Sequence, residues 1–200
     1  MSTAPVRPYH HGNLRAELLR CAERTLDAGG VQALSLRELA RELGVSHAAP
    51  RRHFAGKQAL LDALALDGFE RLGAALEAAV TGAGERFEDR LAALARTYVR
   101  FATDHAPLLE LMFAGKHAPG ADPRVRAASD RAFAVALDVI PAGQAAGEVV
   151  AGDPDEVAVV VFAALQGLAT LTTTGLLDPA SLDATATAVS ERLVLGLRPR

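Results

Sequence analysis

The 200-residue chain has no tryptophan, a single cysteine and only 4% aromatic residues. A lone Cys21 cannot close an internal disulfide, so the chain fits a reducing compartment, and on a helical face it reads as a small buried hydrophobe. Scarce aromatics argue against a β-rich fold, whereas a chain that is half apolar and dominated by Ala and Leu suits packed helices. An all-α protein with a real core is expected. No charged segment leading into an apolar one opens the chain; MSTAPVRPYHHGN reads as a polar arm, and a cytoplasmic location follows. GxSxG, a phosphate loop, HExxH and CxxC are all missing. His10 and His11 lie in the arm, while His105 and His117 have no partner at metal-binding spacing, so no catalysis, metal or cofactor is expected.

Charge is present but unevenly spread. The net charge of −3 hides nine Arg/Lys against five Asp/Glu in residues 1–60, with four of the six histidines, and 12 against 19 in residues 61–200. A basic N-terminal third on an acidic remainder suggests one end built for a polyanion.

Asn13 can cap a first helix whose apolar positions Leu14, Leu18, Ala22, Thr25 and Leu26 follow helical spacing until Gly29-Gly30 ends it. Ser35-Leu36-Arg37-Glu38 has the form of a capping box and opens a helix of about two turns through Leu36, Leu39, Ala40 and Leu43. Gly44 stops that helix, and Ser46 caps a short third helix from His47 to about Phe54. Helix, three-residue turn, helix is the spacing of a helix-turn-helix. Further helices are expected at about 57–81, 86–104, 107–114, 123–140, 154–175 and 180–197, nine in all, with Gly82-Ala83-Gly84 as a linker and Pro107, Pro141 and Asp178-Pro179 among the breaks. Residues Val157 to Leu177 run 21 positions without a charge, long enough to span a bilayer. Acidic flanks without Lys, Arg, Trp or Tyr anchors argue against a membrane span and for a helix buried both in its own core and against a partner. The last helix, with Leu182, Val189, Leu193 and Leu197, supplies the rest of such an interface.

In the expected third helix, Ser46 at the N-cap would leave backbone amides free for a phosphate oxygen. His47, Ala48 and Ala49 occupy first-turn positions that reach base edges, where Ala methyls can meet thymine methyls and His47 can donate to guanine or phosphate. Pro50 falls where a lost amide costs least. In such a motif Ser35 and Arg37, at the start of the second helix, would face the DNA backbone across the groove.

The run LSLRELARELGVSHAAPRRHFAGKQALLDAL, Leu34 to Leu64, resembles the DNA-binding domain of TetR-family transcriptional regulators, and YHHGNLRAELLRCAERTLDAGG resembles that family's first helix. Its specific elements are SLRELA, GVS, HF and a Lys three residues after the Phe. One subgroup carries a Trp followed by a His-Gly pair in its penultimate helix; Phe162, Gln166 and Gly167 stand at those positions, so only the glycine is kept. The resemblance implies a flexible arm over 1–12, a helix-turn-helix domain over 13–60, a connecting helix over 61–82 and a ligand-binding and dimerisation domain over 83–200. It implies a homodimeric repressor on a palindromic double-stranded DNA operator, released by an unknown, largely apolar small molecule; the alternative is a helix-turn-helix DNA binder without an inducer, whose C-terminal domain serves dimerisation or protein partners only. Arg52, His53 and Lys57 then match phosphate-binding positions. Arg51 stands where tyrosine is usual and can serve as a guanine contact or a phosphate clamp. Phe101, His105, Leu109, Met112, Phe113, Phe133, Gln166 and Thr170 lie on helices that line the family's cavity, although each also reads as core. Val161, Leu165, Leu168, Thr172, Val189 and Leu193 fall on the helices that pack against the mate.

Overall fold

Leu18, Leu19, Cys21, Ala22 and Leu26 are buried at helical spacing along α1, Leu14–Ala33, in the computed structural model, which describes residues 14–117 and 121–199. The flexible arm expected over 1–12 and the Asn13 cap lie outside the described residues. Gly30 takes φ +67, a left-handed conformation open to glycine at no steric cost, and so ends the regular part of α1 at the expected place. The chain falls into two compact units, Met1–Leu64 and Ala65–Arg200.

The first unit holds α1, α2 (Leu36–Glu42) and a 3₁₀ turn over Pro50–Arg52, and α3 (Lys57–Gly82) begins in it. Leu34, Leu39, Ala40, Phe54, Leu60 and Leu64 join the α1 residues to form its core. The capping box at Ser35 is not formed: Ser35 is the N-cap in an extended conformation but makes no side-chain bond. The Glu38 carboxylate instead accepts from Arg41 Nε at 2.8 Å, one turn further on. An arginine three residues downstream competes better for a carboxylate than a neutral backbone amide does.

The second unit is built around α4, Phe87–Asp104, which packs against α5 (Ala106–His117), α6 (Pro123–Ala145), α7 (Pro154–Thr173) and α8 (Leu182–Leu197). Phe87, Leu91, Leu94, Ala95, Tyr98, Val99 and Ala102 give α4 a buried stripe, each large member worth about 1.5–3 kcal/mol of hydrophobic burial. Asp122, Asp153 and Asp178 each precede a proline, and each accepts the amide two residues on, starting α6, α7 and a 3₁₀ turn at Pro179–Ser181. All-helical architecture is as expected, with eight α-helices and two 3₁₀ turns among the described residues. Pro141 does not end α6. The helix runs on to Ala145 because Pro141 and Leu137, whose carbonyl loses its usual amide, both face solvent.

Candidate nucleic-acid interface

The turn after α2 is closed by two backbone bonds. The Gly44 amide donates to the Arg41 carbonyl at 3.2 Å, and the Val45 amide to the Ala40 carbonyl at 2.9 Å, with Gly44 at φ +66. This is the Schellman pattern, which satisfies the last carbonyls of α2 and turns the chain sharply.

Beyond it, the expected third helix is a turn over 47–49 leading into the 3₁₀ turn Pro50–Arg52. Pro50 has no amide to give the Ser46 carbonyl, so that carbonyl accepts from Ala49 at 2.9 Å, three residues on. The same tight pattern continues from Arg52 to Ala49 at 3.2 Å and from His53 to Pro50 at 3.0 Å. The helix N-terminus expected behind Ser46 is therefore not built.

Pro50 and Phe54 point inward and are buried, Phe54 to 2% exposure. Ser46, His47, Ala48, Arg51, Arg52, His53 and Lys57 are exposed, and Ala49 is half-buried. On α2, Arg37 is exposed and Ser35 half-buried. The structure thus brings the expected reading residues onto one short segment anchored from below by a proline and a phenylalanine.

Charge pairing divides the basic residues of this unit in two. Arg20 pairs with Glu17, Arg41 with Glu38, and Arg24 with Glu42 at 2.9 Å, the last tying α1 to α2. Arg24 holds the Glu42 carboxylate below its ordinary range, and the Cys21 thiol adds a second hydrogen bond to it. Arg15, Arg37, Arg51, Arg52 and Lys57 have no carboxylate partner among the described residues. Sequence reasoning listed the last four and missed Arg15, whose guanidinium lies 5.6 Å from the centroid of the Phe54 ring. Contacts between residues so far apart in the chain leave no periodic signal.

In the second unit the residues expected to line a cavity are packed ring against ring. Phe113 stacks on Phe133 at 6.3 Å, Phe162 meets Phe133 edge-on at 5.8 Å, and Tyr98 lies 5.6 Å from Phe162. The Tyr98 hydroxyl donates to the Gln166 amide oxygen, which supplies the partner that a buried amide needs. Leu109 and Met112 are core, Phe101 pairs locally with His105 at 4.9 Å, and Thr170 is exposed. Tyr98 and Phe162 complete the cluster and were not among the expected lining; Phe162 was visible only as the residue at the subgroup's Trp position. An open hollow of about 480 Å³ lies elsewhere, lined by Arg100, Asp104, Thr173 and Asp183 among others.

The residues expected to meet a mate on α7 turn into their own subunit's core. Val161, Leu165, Leu168 and Thr172 are each at most 9% exposed within their own subunit and have little surface to offer a mate. Val159, Ala163, Gly167 and Leu171, four apart on the other side of the helix, are exposed, and Val159 keeps 68% of its surface. Val189 and Leu193 on α8 stay half-exposed and line an apolar hollow of about 360 Å³.

Residues 18–64 match the family model described as bacterial regulatory proteins, tetR family, and residues 91–196 that of the tetracyclin repressor-like C-terminal domain. A protein of unknown function from Rhodococcus sp. RHA1 is 50% identical over 97% of this chain and 100% of its own, with a TM-score of 0.89. The same fold is found at 21% identity in a bacterial regulatory protein in the tetR family from Rhodococcus RHA1, with a TM-score of 0.75 over 93% of this chain and 97% of that one. It is found at 23% identity in the TetR family transcriptional regulator PfmR from Thermus thermophilus, with a TM-score of 0.72 over 91% and 99%. No curated protein matches the chain.

Proposed function

The chain belongs to the TetR family of bacterial regulatory proteins and is therefore a DNA-binding transcriptional regulator, and from that premise we propose a homodimeric repressor that sits on a palindromic operator and leaves it when a small molecule binds. The observation that carries the DNA-facing assignment is the set of exposed, unpaired cations around a segment locked from beneath by Pro50 and Phe54. In this reading His47, Ala48 and Ala49 meet base edges, and Arg51 reads a base or clamps a phosphate. Ser46, Arg52, His53 and Lys57 hold phosphates on one side, with Ser35 and Arg37 across the groove. The family is a non-enzymatic class, and an activity on DNA goes with a cytoplasmic location.

The dimer is proposed to form through the exposed stripe Val159, Ala163, Gly167 and Leu171 with Val189 and Leu193 of α8. Small residues at Ala163 and Gly167 allow close helix approach, and no neighbouring atom lies within 4 Å of where a Gly167 side chain would begin. A mate rather than lipid is then what covers this apolar face. Selection of bound fragments from genomic DNA, followed by footprinting, tests the whole. Two protected half-sites one helical turn or a multiple apart are expected, and a single protected half-site would refute the dimeric operator complex.

One observation favours a second reading, in which the C-terminal domain only dimerises or binds protein partners: the aromatic cluster is filled by its own rings. A ligand of the folded state raises the melting temperature by mass action and should also release DNA. A broad metabolite screen with neither effect supports the second reading.

A further inference from the structure

We propose that Arg15 is an additional contact to the DNA backbone, presented to a phosphate by the ring of Phe54; the proposal rests on the first unit being the DNA-binding head. Within the fold, little accounts for a positive charge at this position. Arg15 is the second residue of α1, where the helix dipole disfavours a cation by about 0.3–1 kcal/mol. No carboxylate among the described residues offsets that cost. Glu17, the nearest acid in the chain, is engaged by Arg20, and residues 1–13 contain no Asp or Glu. Arg20, Arg24 and Arg41 show the alternative fate in the same unit, each neutralised by a glutamate. Arg15 instead shares its lack of a carboxylate partner among the described residues with Arg37, Arg51, Arg52 and Lys57, the cations that the proposed function sets against DNA.

The geometry explains how the charge is presented. A guanidinium that lies over an aromatic ring spends its face on the π system and keeps the N–H groups at its edge free, the arrangement suited to a bidentate phosphate contact. The ring is itself fixed, since Phe54 is 2% exposed and follows directly on Arg51, Arg52 and His53. The His53 ring lies 6.4 Å from the same phenylalanine. Phe54 therefore ties the start of α1 and the end of the reading segment to one rigid support, with a basic group from each beside it.

The test is fluorescence anisotropy of the full-length protein on a duplex of arbitrary sequence, titrated over a range of salt. Arg15→Gln should weaken binding roughly tenfold per engaged subunit, the worth of one charged hydrogen bond, and equally on all sequences. It should also lower the slope of log K against log salt by about 0.9 per subunit, while Arg15→Lys keeps the slope. Arg15→Met, whose unbranched stem still covers the ring, repeats the loss if the glutamine variant folds poorly. An unchanged slope in both neutral variants, with only the melting temperature lowered, would overturn the proposal and make Arg15 a cover for Phe54. Wild-type protein with no salt-dependent DNA binding would instead defeat the assignment of the head itself.

Discussion

Replacing Gly44 by alanine isolates the conformational cost of the turn between α2 and the reading segment. At φ +66 the backbone is left-handed, and nothing lies within 4 Å of the position a Cβ would take, so steric collision contributes nothing. What remains is the penalty of about 1–2 kcal/mol for an L-residue in that region. About 0.4–1 kcal/mol of extra stabilisation comes from the stiffer unfolded chain, a gain available only if the native turn is kept. The net expectation is a loss of about 1 kcal/mol. Should alanine instead leave the left-handed region, that penalty is avoided but the 3.2 Å and 2.9 Å turn bonds are lost at about 0.5–1.5 kcal/mol each, which caps the loss at about 3 kcal/mol. Urea unfolding followed by circular dichroism at 222 nm measures the difference, and Gly44→Asn, which tolerates this conformation better, should recover part of it. A variant as stable as the parent within about 0.5 kcal/mol would refute the claim that the left-handed glycine closes α2. A loss well beyond about 3 kcal/mol would mean a clash where the structure has open space.

Arg52→Ala should weaken binding to every sequence and reduce the salt slope by about 0.9 per engaged subunit, whereas Arg51→Ala and His47→Ala should also reorder a panel of operator variants in a competition assay. An unchanged order would reduce both residues to phosphate contacts. Val159→Asp places a charge on the apolar stripe of α7, and light scattering should report half the parent mass; an intact dimer would move the interface elsewhere. Burial, aided by the Glu42 carboxylate, pushes the Cys21 thiol up to about 11. Below the thiol's ordinary range both folded and unfolded forms hold the proton, and between that range and about 11 only the unfolded form releases it, so stability falls as pH rises through this window. Urea midpoints from pH 8 to 10 should fall less in Cys21→Ala than in the parent, and iodoacetamide should label native Cys21 only slowly.

Much of the fold was legible because its signals are local. Apolar spacing marked α1 and α2, and Gly29-Gly30, Gly44 and Asp178-Pro179 marked breaks close to those in the structure. What escaped has a physical reason in each case. Glu38 had two possible partners at the same chain separation, a backbone amide upstream and Arg41 downstream, and sequence spacing does not rank them. Pro141 reads as a stop unless the solvent-facing side of its helix is known. On α7, apolar residues occupy nearly every position from Val157 to Leu171, so no polar stripe marks which face looks outward, and the residues expected to meet a mate fall on the inward side. Arg15 and Phe54 stand 39 positions apart, beyond any periodicity.

The 3₁₀ geometry at Pro50–Arg52 has a consequence for how the paired arginines are spread. Successive side chains diverge by about 120° in a 3₁₀ turn against about 100° in an α-helix. With Pro50 buried, ideal 3₁₀ spacing sets Arg51 and Arg52 at equal angles on either side of the outward normal. An α-helical segment would have turned one of them sideways along the surface. The missing proline amide thus favours a two-pronged fork, with the two guanidinium groups leaving the backbone in different directions.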